Sequence, residues 1–264
     1  MLAYLKKKLK VFKNNNPEEI LIKIFNKINS YLDFPRNGIT RYQVDKFMEL
    51  NFSNRNCYGL KVLDVGGGHK PYKKYFKDAL YESCDSEEAL EDININILNN
   101  DEHTFFCDIT KEIPRANYTY DIIICNQVFE HLNEPQNAAC EIYRILKKKG
   151  EFYLTVPQCH GIHMPPHNYF NFLSYGIKYI LKKAGFIDIK IIPLGGIYCL
   201  LAKVLGNSIN YLFTNLNNKI RIIFYVIEFP IRIILFVVLI FLFYIDKIDA
   251  QKNWTINYGA KASK

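Results

Sequence analysis

The sequence predicts an α/β fold in which a doubly wound, mostly parallel sheet carries helices on both faces. Three observations predict it. Aliphatic runs of strand length alternate with segments of helical period from residue 40 onward, the pattern of repeated βαβ units. The run Lys61-Val62-Leu63-Asp64-Val65 passes directly into Gly66-Gly67-Gly68, so a buried strand ends in a sharp turn where a ligand can approach the backbone. Asp85 then closes the next strand roughly 20 residues beyond Asp64, the spacing at which an acid reaches ribose hydroxyls in nucleotide-binding βαβ units.

In chain order, residues 1–13 place Leu2, Leu5, Leu9 and Phe12 on one helical face, with Lys6, Lys7, Lys8, Lys10 and Lys13 around it. This basic amphipathic pattern suits a helix in a membrane interface and equally a surface helix packed on the domain. Asn16, Pro17, Glu18 and Glu19 supply a cap, a first-turn proline and two acids near the positive helix end. A second helix over 20–32 follows and stops at Pro35-Arg36-Asn37-Gly38. A helix over 40–50 leads into the first strand and is expected to cover the ligand site. Strands are expected at 61–65, 80–85, 104–109 and 120–126. The clearest helix is 133–149, with Asn133 as cap, Pro135 early, Ala138, Ala139, Ile142, Ile145 and Leu146 along one side, Lys147, Lys148 and Lys149 at its negative end, and Gly150 as the stop. A strand over 151–157, a helix through Leu181, a strand over 187–194 and a closing strand over 254–261 complete the reading. The expected divisions are N-terminal helices (1–39), a core (40–196), a hydrophobic helical insertion (197–250) and the closing strand (251–264).

Four motifs taken together resemble the class I S-adenosylmethionine-dependent methyltransferases, and within them the type 11 small-molecule group. They are Asp64-Val65-Gly66-Gly67-Gly68, Asp85, Cys107-Asp108-Ile109, and the stretch from Tyr120 through Asn126-Gln127-Val128-Phe129-Glu130-His131 to Leu132. The resemblance runs from Arg41 to Gly196 and resumes in the closing strand. It implies a Rossmann-like sheet of seven strands whose last strand inserts antiparallel beside its predecessor. It also implies S-adenosyl-L-methionine as cofactor, with Asp64, Gly66, Gly67 and Gly68 at the methionine end, Asp85 at the ribose, Asp108 and Ile109 at the adenine, and the Asn126 region facing the methyl group. Lys70 stands where such loops often carry another glycine. A nicotinamide dehydrogenase is disfavoured, because Gly66-Gly67-Gly68-His69-Lys70-Pro71 does not meet GxGxxG at its last position.

The 264 residues are 49% hydrophobic and 15% aromatic, enough for a sizeable core. Seven cysteines form no CxxC pair, and several fall inside expected core strands, so they read as small apolar residues in a reducing compartment. Met1-Leu2-Ala3-Tyr4-Leu5 leads into lysines rather than a long apolar stretch, so no cleavable signal peptide is expected and the cytosolic side is the default. The net charge of +8 calls for an acidic partner. The lysines are not interleaved with aromatics as in nucleic-acid modules. An anionic membrane surface is therefore the expected partner, and no nucleic acid is expected.

The loop after the strand at 151–157 holds Cys159, His160, His163 and His167, which invites a metal reading. The resembled family needs no metal and no outer set of ligands accompanies these residues, so none is expected. The functional reading is an acceptor pocket with a histidine general base: His167 and His163 lead, and His131 is third. A structural hydrogen bond is the alternative for each. Pro166-His167-Asn168-Tyr169-Phe170-Asn171-Phe172, followed by Tyr175-Gly176-Ile177, resembles methyltransferases of glycan and cell-surface polymer synthesis.

Residues 233–245 are an uninterrupted run of 13 apolar residues, preceded by Arg221, Glu228, Pro230 and Arg232. The flanking strands belong to one sheet, so the insertion starts and finishes on one side of any membrane. Two crossings need about 40 apolar residues, which favours shallow insertion or a re-entrant hairpin. A lid on the domain, or an interface with the mate of a homodimer, is the soluble alternative. The expectation that results is an enzyme peripheral to the inner face of the cell membrane, methylating a hydroxyl of a glycan, a lipid-linked sugar or a similar small-molecule amphiphilic acceptor. Alternatives are a quinone or lipid head-group methyltransferase and a non-catalytic methyltransferase-like scaffold.

Overall fold

The strands at the middle of the sheet are buried on both faces, and their alternating side chains divide the core in two. The structure is a computed structural model of the chain and describes residues 38–88, 104–214 and 218–264. The helices expected over 1–13 and 20–32 lie outside the described residues. In chain order the described elements are α1 (Ile39–Phe52), β1 (Lys61–Val65), β2 (Leu80–Asp85), β3 (Phe105–Phe106), β4 (Tyr120–Asn126), α2 (Pro135–Ile145), β5 (Leu146–Pro157), α3 (Ser174–Ala184), β6 (Ile187–Leu194), α4 (Ile197–Thr214), α5 (Asn218–Ile245) and β7 (Asn257–Ser263).

The sheet has seven strands in the order β3-β2-β1-β4-β5-β7-β6. β1 to β5 run parallel, and β7 lies between β5 and β6, antiparallel to both. Leu63, Val65, Ile123, Cys125, Phe152 and Leu154 pack with Ala138, Ala139, Ile142 and Ile145 of α2 and Ile177 and Leu181 of α3. Val62, Ile122, Ile124 and Tyr153 pack with Val44, Phe47, Met48 and Phe52 of α1. The period of two in each strand thus feeds helices on both faces, which is why these runs are continuously apolar instead of alternating with polar residues. Truncating Ile142 to alanine would open a cavity here and cost about 2–5 kcal/mol.

Four boundaries differ from the sequence expectation. α2 stops at Ile145, and Lys147, Lys148 and Lys149 belong to β5. Leu146 already pairs with Tyr120, Lys147 Nζ donates to Asp121 Oδ2 at 2.7 Å, and the Lys149 N–H donates to the carbonyl of Lys264 at 2.9 Å. Strand pairing with the far end of the chain therefore outweighs the favourable charge of three lysines at a helix terminus, which is worth only about 0.3–1 kcal/mol per charge. Asn133 is not the cap of α2; Glu134 occupies that position, with Pro135 in the first turn. The strand expected over 104–109 shortens to Phe105–Phe106, and the closing strand begins at Asn257 instead of Trp254. Thr255 is buried, its hydroxyl donating to the Gly195 carbonyl, and the chain enters the sheet only after that bond is made.

Thr40–Ile197 with Gln251–Lys264 form one compact unit, which contains the sheet; a second unit comprises Met1–Ile39 and Tyr198–Ala250, of which residues 38–39, 198–214 and 218–250 are described. Within the second unit the Cys199 N–H donates to Asp246 Oδ1 at 2.9 Å, tying the start of α4 to the turn that follows α5. Glu228 and Arg232, one helical turn apart on α5, are both buried and form an ion pair at 2.7 Å. Among the described residues no helix is long and apolar enough to cross a membrane.

Candidate functional site

β1 delivers the chain to the glycine turn at the carboxyl end of the sheet, where ligands of open α/β folds settle. Gly66 and Gly68 take left-handed backbone angles, φ 65° and 49°. A Cβ on Gly66 would overlap the Val128 side chain, whereas one on Gly68 would meet no atom within 4 Å. The first glycine is required by packing, and the second leaves open space for a ligand. Lys70 itself takes φ 50°, and its N–H donates to the Gly67 carbonyl at 2.8 Å. The lysine thus adopts the backbone conformation that a glycine would take there, and the turn is kept.

Above this turn lies a cavity of about 430 Å³. Gly66, Gly68, Asp85, Asp108 and Ile109 line it, and so do Gln127, Val128, His131, His167 and Tyr169. Asp85 Oδ2 accepts from the Gly68 N–H at 3.1 Å and Oδ1 from the Ser86 N–H at 2.9 Å, so the end of β2 is locked to the glycine turn. Asp108 accepts from both the N–H and the hydroxyl of Thr110 and pairs with Lys111 at 3.2 Å. Partial burial pushes its carboxyl up, but the Thr110 bonds and the lysine outweigh it and hold Asp108 below the usual range, ionised at neutral pH.

Asp64, Gly67 and Asn126 do not line the cavity. Asp64 is 2% exposed, and its Oδ2 accepts from the Tyr81 hydroxyl at 2.5 Å. Burial pushes Asp64 up to about 7, against the opposing pull of the Tyr81 bond. Asn126 Oδ1 accepts from the Thr155 hydroxyl at 3.0 Å, while its Nδ2 is buried without an acceptor among the described residues. α1, expected to cover the site, supplies no wall of the cavity. It reaches the turn region through Asp45, which accepts from the Tyr72 hydroxyl at 2.9 Å.

Of the three histidines proposed as bases, His131 and His167 line the cavity and His163 does not. They are nonetheless neighbours. His131 Nδ1 bonds the His167 carbonyl, and the His131 and His163 rings meet edge to face at 4.9 Å. Burial holds the His131 imidazole below its usual range, so it is neutral at pH 7. Sequence reasoning missed Glu130. It sits in the single turn Phe129–His131, fully buried, with no hydrogen-bond partner for either carboxylate oxygen among the described residues, and burial pushes it up to about 8. Its signal was an acid beside the apolar pair Val128-Phe129 and next to His131.

This donor set fits S-adenosylmethionine: carboxylate acceptors at Asp85 and Asp108 for hydroxyls and an amine, and open space over Gly68 for close backbone approach. The methyltransferase-domain family matches residues 35–185, more than half of the chain. No curated protein matches in sequence. The chain is similar in fold to phosphoethanolamine N-methyltransferase 2 of Haemonchus contortus in complex with S-adenosyl-L-methionine, at 15% identity over 83% of this chain and 51% of that one, TM-score 0.47. It is also similar to the [4+2]-cyclase SpnF (16% identity, 85% and 80% covered, TM-score 0.47) and to the CurJ carbon methyltransferase (14%, 64% and 54%, TM-score 0.42). The chain spans about half the length of the Haemonchus protein. From the family match, which covers the glycine turn and the strands that build the cavity, the chain belongs to the methyltransferase-domain family, the class I S-adenosylmethionine-dependent methyltransferases.

Proposed function

We propose that the protein transfers a methyl group from S-adenosylmethionine to a hydroxyl of an amphiphilic acceptor, a glycan or lipid-linked sugar, while attached to the inner face of the cell membrane. One observation carries the reading: a single cavity is lined both by the cofactor-type residues Gly66, Gly68, Asp85 and Asp108 and by His131 and His167. The bound cofactor supplies an electrophilic methyl on a sulfonium, with a neutral thioether as leaving group. Gly68 leaves the approach to the backbone open, and Asp85, fixed by the Gly68 and Ser86 amides, orients what binds against it. A hydroxyl acceptor must lose its proton, and His167 is the imidazole assigned to take it. Lys70, which stands where such loops often carry a glycine and is the residue that would favour a non-catalytic scaffold, leaves the turn intact.

Membrane attachment is supported by α5. Ile234, Val237, Phe241 and Tyr244, spaced along one stripe of the helix, are between 61% and 65% exposed. The test is calorimetric titration with S-adenosylmethionine, followed by mass spectrometry of lipid extracts incubated with enzyme and cofactor. Saturable cofactor binding with no methylated lipid or glycan product would remove the acceptor assignment and keep the cofactor site.

A further inference from the structure

Glu130 is a buried carboxyl group whose side chain finds no hydrogen-bond partner among the described residues. It is 0% exposed, and neither carboxylate oxygen accepts a hydrogen bond from another side chain or backbone group among the described residues. A buried carboxyl group with no hydrogen-bond partner is costly to keep out of water, and a bound cation would give it one. Two imidazoles are close by. His131 Nε2 lies 3.9 Å from Glu130 Oε1, and one donor atom from each of Glu130, His131 and His163 lies within 4.8 Å of the others.

The outward faces of the two rings are already assigned. His131 Nδ1 bonds the His167 carbonyl, and His163 Nδ1 faces the Gly161 carbonyl at 3.1 Å. A carbonyl only accepts, so each Nδ1 carries the proton and each Nε2 is left with a lone pair. This is the arrangement that orients metal-bound histidines: the outer nitrogen donates to a backbone carbonyl and the inner one ligates. Loop histidines alone do not make the site; the single turn after β4 supplies two of its three groups.

We propose that Glu130, His131 and His163 form a binding site for a divalent transition-metal cation of the zinc class, through one carboxylate oxygen and two imidazole Nε2 atoms. Ligands on such a cation stand about 3.4 Å apart when bonds of about 2.1 Å are tetrahedral, so the three groups, now within 4.8 Å of one another, draw closer on binding. Three protein ligands leave at least one position for an oxygen donor, water or an acceptor hydroxyl. His131 also lines the cavity, which puts the open position beside the candidate methyl-transfer site. This departs from the sequence expectation that no metal is needed, and it stands whether or not the acceptor assignment holds.

The test needs no methyl-transfer assay. The full chain is stripped with a chelator, titrated calorimetrically with Zn²⁺, and examined with Co²⁺ for visible absorption bands of low-symmetry coordination. The expected result is one Zn²⁺ per chain and a Co²⁺ spectrum that Zn²⁺ abolishes. Glu130→Gln and His163→Ala should each weaken binding by more than the roughly 10–100-fold that loss of an outer-shell partner costs. His160→Ala, whose ring lies 4.2 Å from that of His163 but outside the set, should bind close to the parent. Should Glu130→Gln fail to fold, His163→Ala and the parent decide the matter. A parent that binds no stoichiometric Zn²⁺, or a His163→Ala protein that binds it like the parent, overturns the site.

Discussion

The Gly68 amide donates to Asp85 Oδ2 at 3.1 Å, joining the glycine turn after β1 to the last residue of β2. Asp85→Ala removes the acceptor of both this amide and that of Ser86, and it removes a carboxylate from the cavity wall. We expect S-adenosylmethionine affinity to fall at least tenfold, about 1.4 kcal/mol, with the fold retained. Calorimetry checks this, with circular dichroism as the control; parent-like affinity would remove Asp85 from the site.

Gly66 fails as alanine for two separable reasons. Its φ of 65° costs a residue with a Cβ about 1–2 kcal/mol, and the Cβ would also overlap Val128. Gly66→Ala should therefore lose more than that backbone cost in urea denaturation. The double variant Gly66→Ala with Val128→Ala should recover part of the excess over the two single losses. Simple additivity would place the Gly66 requirement elsewhere.

How legible these features were in the sequence differs residue by residue. β2 (Leu80–Asp85) and β6 (Ile187–Leu194) fall where the sequence puts them, β2 ending in the acid Asp85 and β6 lying between the turn residues Gly185 and Gly195. The α2–β5 boundary was misread: three lysines before a glycine match a helix end, and nothing local reveals that Lys264 arrives to pair with Lys149 and Gly150. Asp64 and Glu130 were legible as acids but not as buried ones. Whether a carboxylate at a strand end faces a ligand or a tyrosine hydroxyl is set by a neighbouring strand, here by Tyr81.

Asp64 makes stability depend on pH. Burial raises its folded-state pKa to about 7, above the ordinary 3.8. Between these values the folded chain holds a proton that the unfolded chain has released, so stability falls as pH rises from about 4 to 7 and is level above that. Three units correspond to a penalty on the order of 4 kcal/mol at alkaline pH. Asp64→Asn keeps an acceptor for Tyr81 and has no charge to bury. Its urea midpoint should exceed the parent's at pH 8 and converge with it near pH 4; an unchanged difference across that range would refute the assignment.

His167→Ala should lower turnover by about 10²–10⁴ and leave cofactor affinity nearly intact, as expected for a residue acting on the acceptor proton. Loss of cofactor binding with the fold preserved would move His167 to the cofactor side. Unchanged turnover on an identified acceptor would take it out of the mechanism.

Attachment to the membrane should have two components that salt separates. The exposed stripe Ile234, Val237 and Phe241 on α5 contributes burial of apolar surface, which salt does not weaken. The lysines within residues 1–13 contribute on the order of 1 kcal/mol each near an anionic surface, and this part is screened. Leu242 is 8% exposed, so it is already buried and is the wrong position to probe the stripe. In co-sedimentation with anionic vesicles, raising salt should therefore release only part of the protein. Deleting residues 1–13 should abolish the salt-sensitive part, and serine at 234, 237 and 241 should release most of the remainder. A parent protein that stays in the supernatant at low salt would sink the membrane reading and leave the apolar stripe of α5 to a protein contact.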